Sequence, residues 1–337
     1  METKAQGEEG SLTGELLRSV SRSFYLSIRL LPRPLRKPVG LAYLLARATD
    51  TLADSTQVPV SIRRQNLSAL AAAIQSGERP EQMAELQHSC APLPENIAER
   101  RLILLLPQCL KRLNELDAAD RAEIRVVLEK ITRAQELDLD RFSDPTRLRA
   151  LASVAELEEY AYLIAGCVGE FWTELCFRHL ENFAALSKPE MHALGKAYGV
   201  GLQLINILRD AHGDLRAGRC YFPADELAAA GLTPSDIATH PAVFQPIFEK
   251  WLGRAEQGLR AGMKYIEAIE VRRVRVATAL PALIGARTIA RLHAAGARAL
   301  QERVKVPRRE VRGMLASVAI TLGSRRVLAE MFEKGIR

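Results

Sequence analysis

The stretch "YGVGLQLINILRDAHGDLRAGRCYFP", Tyr198 to Pro223, decides the fold class and poses the functional question. Its apolar residues recur at helical spacing. Gln203, Asn206, Asp210 and Asp214 interrupt them at i, i+3, i+7 and i+11, a stripe about 80° wide on a helix of 3.6 residues per turn. Polar groups on an otherwise apolar helix are costly unless they are paired or bound to something.

The same design occurs earlier in "PVGLAYLLARATDTLADS", Pro38 to Ser55. Tyr43, Arg47, Asp50 and Asp54 stand at i, i+4, i+7 and i+11, within about 60° of one another. Each helix thus ends in an Asp-x-x-x-Asp pair. A lone pair at this spacing is most often a solvated helix face, where like charges four apart are mildly destabilising. Here both pairs sit on apolar helices with no lysine close by. Ionised pairs in low dielectric need cations. A divalent metal with oxygen ligands is the better candidate, and Mg²⁺ favours few carboxylates, several waters and phosphate oxygens. The expectation is that Asp50, Asp54, Asp210 and Asp214 face one another across Mg²⁺ in a diphosphate site.

Basic residues accompany both pairs. Arg47 and Arg209 precede them, Arg216 and Arg219 follow the second around a glycine, and "SRSF", Ser21 to Phe24, offers two hydroxyls and Arg22. Arginine suits bidentate phosphate contact; each one alone is more often a surface residue. A third stretch, "ELEEYAYLIAGCVGEFW", Glu156 to Trp172, carries Tyr160 and Tyr162 ahead of a run with Gly166 and Gly169. The glycines read as close helix packing. Tyr160 reads either as an amphipathic core residue or as a hydrogen-bond donor or ring facing a cation.

Three-to-four-residue periodicity fills nearly the whole chain and strand patterns are almost absent, so the chain reads as all-α. Helices are expected near 36–54, 60–76, 95–115, 118–141, 154–179, 188–212, 242–269, 271–297 and 308–334, with a linker at 76–96. The expected organisation is a disordered tail over residues 1–10 and a single helical domain over 11–337. At 337 residues and 48% hydrophobic composition, the chain can bury a large core. The net charge of +7 favours anionic partners, but no nucleic-acid-binding signature is present, so no nucleic-acid partner is expected. The cysteine count is odd, the spacing is scattered and there is no CxxC, which points to a reducing compartment; Cys167 and Cys176 read as buried thiols. No signal peptide or long apolar run appears, so a cytoplasmic protein is expected, with a peripheral membrane contact assisted by its charge.

Taken together, "SRSF", "AYLLARATDTLAD", "YAYLIAGCVG" and "GLQLINILRDAHGDLRAGRCYFP" resemble the squalene and phytoene synthases, the head-to-head prenyl transferases, from about Ser21 to at least Arg309. "DTLAD" is similar to the squalene synthase form of the first motif, as is Val271 to Leu292 with its internal proline. "VKVPRREV" resembles that branch's late basic segment. The sequence departs from the family at Ala53 and Gly213, where a third acid often stands.

The resemblance implies an isoprenoid synthase-type helical bundle around a central apolar cavity, acting as a monomer. It implies condensation of two farnesyl diphosphates through presqualene diphosphate to squalene, with Mg²⁺ and NADPH. Asp50, Asp54, Asp210 and Asp214 would hold metal. Ser21, Arg22, Phe24, Gln203, Arg209 and Arg219 would bind substrate, with Arg47 on phosphate oxygens. Tyr43 and Tyr160 would serve proton removal or cation stabilisation. Ser23, Asn206, Lys305 and Arg308 would approach the cofactor. The alternatives are a phytoene, dehydrosqualene or presqualene diphosphate synthase that uses no reductant, or a non-catalytic prenyl-diphosphate binding subunit.

Overall fold

The computed structural model describes residues 11–21, 24–55, 57–77, 80–89, 97–144, 146–321 and 323–337. The tail expected to be disordered, residues 1–10, lies outside them, as do Arg22 and Ser23. The chain forms two compact units, Met1 to Asp140 and Arg141 to Arg337.

The first unit contains α1 (Leu17–Ser21), α2 (Phe24–Leu30), α3 (Arg33–Asp54), α4 (Val60–Ser76), α5 (Pro80–Ser89), α6 (Ile97–Leu104), α7 (Leu106–Asn114) and α8 (Ala118–Arg141, ending at the unit boundary). Helix α3 starts with a proline in its first turn, where a missing N–H costs nothing. Leu35, Leu41, Leu44, Leu45, Ala48 and Leu52 bury it on nearly every side, against α2, α4, α6 and α7. Its polar stripe is the exception. Two expectations need correction here. The helix expected over 95–115 is two helices, because Pro107 falls in the first turn of α7 and cannot donate to the preceding turn. The linker expected over 76–96 holds α5.

The second unit contains β1 (Arg149–Leu151), α9 (Val154–Ala161), a π-helical turn at Tyr162–Gly166, α10 (Cys167–His179), α11 (Lys188–Arg216), β2 (Arg219–Pro223), α12 (Ala224–Ala229), α13 (Pro241–Ala268), α14 (Arg272–Ala295), α15 (Arg308–Ile320) and α16 (Arg325–Ile336). Strands β1 and β2 pair in parallel. Helix α11 is the axis of this unit and packs on α10, α13 and α14. A capping box of Ser187 and Glu190 starts it.

Small residues set the approach of these helices. A Cβ added at Gly169 would lie 2.0 Å from the carbonyl oxygen of Gly195, and one at Gly199 would lie 2.1 Å from that of Ala165. The "GVG" at 199–201 is therefore a packing feature, since Gly201 also meets the backbone of Gly258. Helix α11 runs one turn beyond its expected end and stops before Gly218, whose φ of 79° admits a glycine readily. The expected helix over 308–334 divides likewise, at Gly323 with φ 66°. Arg275 is buried and donates to the carbonyls of Ile269, Glu270 and Gly323, joining the α13–α14 corner to the α15–α16 turn. Cys109, Cys167, Cys176 and Cys220 are buried free thiols. No helix among the described residues is long and apolar enough to cross a membrane.

Candidate active site

In the first unit the site is built on α3. Because its residues repeat at helical spacing, Tyr43, Arg47, Asp50 and Asp54 share one face, and Tyr43, Arg47 and Asp50 are each partly buried there while Asp54 is exposed. Nη2 of Arg47 lies 2.5 Å from Oε1 of Glu99, at the start of α6. Asp50 Oδ1 accepts a hydrogen bond from Nε2 of Gln135 at 2.5 Å. Burial, then the neighbouring charge of Asp54, pushes the Asp50 carboxyl up to about 6; Arg47 and the Gln135 hydrogen bond oppose this without cancelling it. Burial also raises Tyr43, moderated by Arg47. Ser21 is buried, and its hydroxyl donates to the carbonyl of Leu17 at 2.5 Å. Phe24 opens α2.

In the second unit the other carboxylates lie near the end of α11. Arg209 grips its neighbour Asp210 with two donors, Nε at 3.3 Å from Oδ1 and Nη2 at 2.5 Å from Oδ2. Arg303 adds a third, Nε at 2.9 Å from Oδ1. Arg219, at the start of β2, holds Asp214 Oδ1 with Nη2 at 2.8 Å. The reason is local. Gly218 reverses the chain just past α11 and returns Arg219 toward the carboxylate it follows. Asn206 donates to Gln203 at 3.3 Å. His212 Nδ1 sits 3.0 Å from the carbonyl oxygen of Leu300, at the segment that delivers Arg303. Lys305 and Arg308 are exposed farther along that segment.

The tyrosines separate in role. Tyr160 is buried and stacked on Tyr221 of β2, with centroids 4.9 Å apart and hydroxyls 3.4 Å apart. Phe142 meets Tyr221 edge-on at 5.4 Å. Tyr162 instead donates to Glu170 at 2.9 Å and lies under the ammonium of Lys196.

The carboxylate pairs differ in how they are compensated. Asp210 and Asp214 have guanidinium partners, which supply positive charge to this pair from the protein itself. Asp50 instead takes its hydrogen bond from the neutral amide of Gln135, and burial, more than the charge of Asp54, holds its carboxyl above the ordinary range against the lowering effect of Arg47. Among the described residues no three His, Cys, Asp or Glu side chains gather closely enough to enclose a metal.

The sequence reading missed Gln135, Glu99, Arg303 and Tyr221. Only Gln135 left a signal: it occupies an apolar position in the buried face of α8, in line with Leu128, Ile131 and Leu139.

The family model for squalene/phytoene synthase matches residues 17–310. The chain belongs to the squalene/phytoene synthase family. As a member of it, the chain is 30% identical over 237 residues to a bifunctional lycopene cyclase/phytoene synthase of Arthroderma gypseum, covering 69% of this chain and 38% of that protein. A protein of the same description from Neurospora crassa is 30% identical over 239 residues, covering 67% and 38%. This squalene/phytoene synthase family member thus spans well under half the length of these relatives. Its fold is similar to that of TcSQS bound to the ligand BPH1237, with TM-score 0.73, 19% identity and 98% of each chain covered. A dehydrosqualene synthase in complex with a ligand gives TM-score 0.60 at 18% identity, covering 95% of this chain and 98% of that one. Squalene synthase HpnC from Alicyclobacillus acidocaldarius gives 0.55 at 18%, covering 85% and 93%. The all-α fold is thus similar to that of the TcSQS, dehydrosqualene synthase and HpnC structures.

Proposed function

We propose that this chain joins two prenyl diphosphates head to head without a reductant, as a phytoene or dehydrosqualene synthase does. The observation that carries this reading is the relation to bifunctional lycopene cyclase/phytoene synthases at 30% identity over two thirds of the chain. It replaces squalene formation as the leading product assignment. Squalene formation with NADPH stays as a second reading, favoured by the form of "DTLAD" and the late basic segment.

In this account the prenyl chains are farnesyl or geranylgeranyl. Arg47 in the first unit and Arg209, Arg219 and Arg303 in the second bind phosphate oxygens, and Gln203 and Asn206 carry amides on the helix that bears Arg209. Asp50, Asp54, Asp210 and Asp214 would hold Mg²⁺, which supplies Lewis-acid neutralisation of the diphosphate leaving group. Arginine charge lowers the cost of breaking the allylic C–O bond, whose electron pair leaves with the diphosphate. The double bond of the second prenyl chain attacks the resulting cation, one proton is lost, and a cyclopropyl diphosphate forms. A second ionisation and rearrangement follow. Without hydride, the final cation loses a proton to give a new double bond, so two diphosphates leave per product. The hydroxyls of Tyr43 and Tyr160 are the candidates for proton transfer, and the stacked Tyr160–Tyr221 rings offer π-faces to a cation.

Asp50→Asn and Asp210→Asn test whether the carboxylates act in turnover. Release of inorganic diphosphate from prenyl diphosphate should fall by orders of magnitude in each folded variant. A wild-type chain that releases none would favour the reading as a non-catalytic prenyl-diphosphate binding subunit.

A further inference from the structure

Gln135 is a polar side chain on the buried face of α8. It is only 6% exposed among apolar neighbours. Its amide nitrogen is committed to Oδ1 of Asp50 at 2.5 Å. Its carbonyl oxygen Oε1 is buried and has no hydrogen-bond partner among the described residues. A buried amide acceptor left open costs free energy, about 1–3 kcal/mol in general, unless something that donates or carries positive charge comes to it. The same side chain is bonded to Asp50, which stands four residues before Asp54 on one face of α3. An apolar residue of similar size would leave Oδ1 unbonded, and a glutamate would add a further negative charge. A neutral amide bonds the carboxylate through its nitrogen and still offers an oxygen.

We propose that Gln135 is a positioning residue for the divalent-cation site at Asp50. Its amide nitrogen fixes the carboxylate through Oδ1 and leaves Oδ2 to face the cation. Its carbonyl oxygen accepts a hydrogen bond from a water on that cation. The inference rests on the assignment of Asp50 as a cation ligand made above. Partners of this kind orient ligands, and removing one typically weakens metal affinity by 10–100-fold.

The test uses Mn²⁺ as a paramagnetic probe, titrated into the full chain in the presence of inorganic diphosphate and read by electron paramagnetic resonance. Circular dichroism and a thermal melt establish that each sample is folded. Gln135→Met removes both amide functions at similar size. Gln135→Asn keeps an amide that is one methylene short of Asp50, and it serves should the first variant not fold. Asp50→Asn tests the site itself. The expected result is a loss of Mn²⁺ affinity of roughly tenfold or more in both Gln135 variants, with a matching rise in the Mg²⁺ concentration needed for turnover and little change in KM for prenyl diphosphate. Wild-type Mn²⁺ affinity in the folded Gln135 variants, with affinity lost in Asp50→Asn, would overturn the role of Gln135 and leave the cation site standing. Wild-type affinity in Asp50→Asn would remove the cation site and this inference with it.

Discussion

Arg303 places Nε 2.9 Å from Oδ1 of Asp210, from a segment without regular structure near the end of the chain. Arg209 holds the other carboxylate oxygen, so one aspartate is shared by two guanidinium groups. Arg303 is 54% exposed, and an exposed pair contributes at most about 1 kcal/mol to stability. Arg303→Ala should therefore leave the melting temperature nearly unchanged. A guanidinium–phosphate hydrogen bond is stronger, on the order of 2 kcal/mol, so KM for prenyl diphosphate should rise roughly tenfold or more. Steady-state kinetics beside a thermal melt check both halves.

Asp50 yields a prediction about pH. Its carboxyl lies at about 6 in the folded chain against an ordinary 3.8, raised chiefly by burial. Folding therefore favours the protonated form. The destabilisation from ionised Asp50 is absent below about pH 4 and complete above about pH 7. Asp50→Asn should match wild type in stability near pH 4, exceed it by on the order of 2 kcal/mol at neutral pH, and lose turnover. Urea denaturation of both proteins at several pH values, without divalent cations, measures this. Parallel stability curves would contradict it.

The Tyr160–Tyr221 stack separates ring from hydroxyl. Their hydroxyls are 3.4 Å apart, a weak hydrogen bond. Tyr160→Phe keeps the stacked ring and should cost less than about 1 kcal/mol, whereas Tyr160→Ala should cost about 3 kcal/mol or more. If the hydroxyl moves a proton, Tyr160→Phe should still lower kcat by roughly 100-fold. Full activity in that variant would leave Tyr160 a packing residue.

Two glycines on α11 should respond oppositely. A side chain at Gly199 meets the backbone oxygen of Ala165 at 2.1 Å, so Gly199→Ala should destabilise by several kcal/mol, on the order of the cost of overpacking. Gly213 has open space within 4 Å. Gly213→Ala should stabilise by roughly 0.5–1 kcal/mol through helix propensity. Gly213→Asp should fold and restore the acid that the family often has there; tighter Mn²⁺ binding would be its signature.

Much of this was legible in the sequence because helical periodicity records burial directly. The bounds of α4 and α8 follow from it, and so does the shared face of Tyr43, Arg47, Asp50 and Asp54. The short strand β2 did not follow, since five residues ending in proline carry no alternation to read. Glu99 and Arg303 reach the carboxylate helices from distant points in the chain, and an ordinary charged residue gives no sign of such a partner. Arg209 and Arg219 stand beside Asp210 and Asp214 in the sequence and read there as phosphate contacts; that they hold the carboxylates themselves is what the sequence does not show.

The central claim is most directly tested by product identity. Purified protein would receive farnesyl or geranylgeranyl diphosphate with Mg²⁺, with and without NADPH, and the hydrocarbon would be identified by mass spectrometry. The account predicts phytoene or dehydrosqualene, in amounts that NADPH does not change. Squalene formed only when NADPH is present would contradict it and restore the reductive reading.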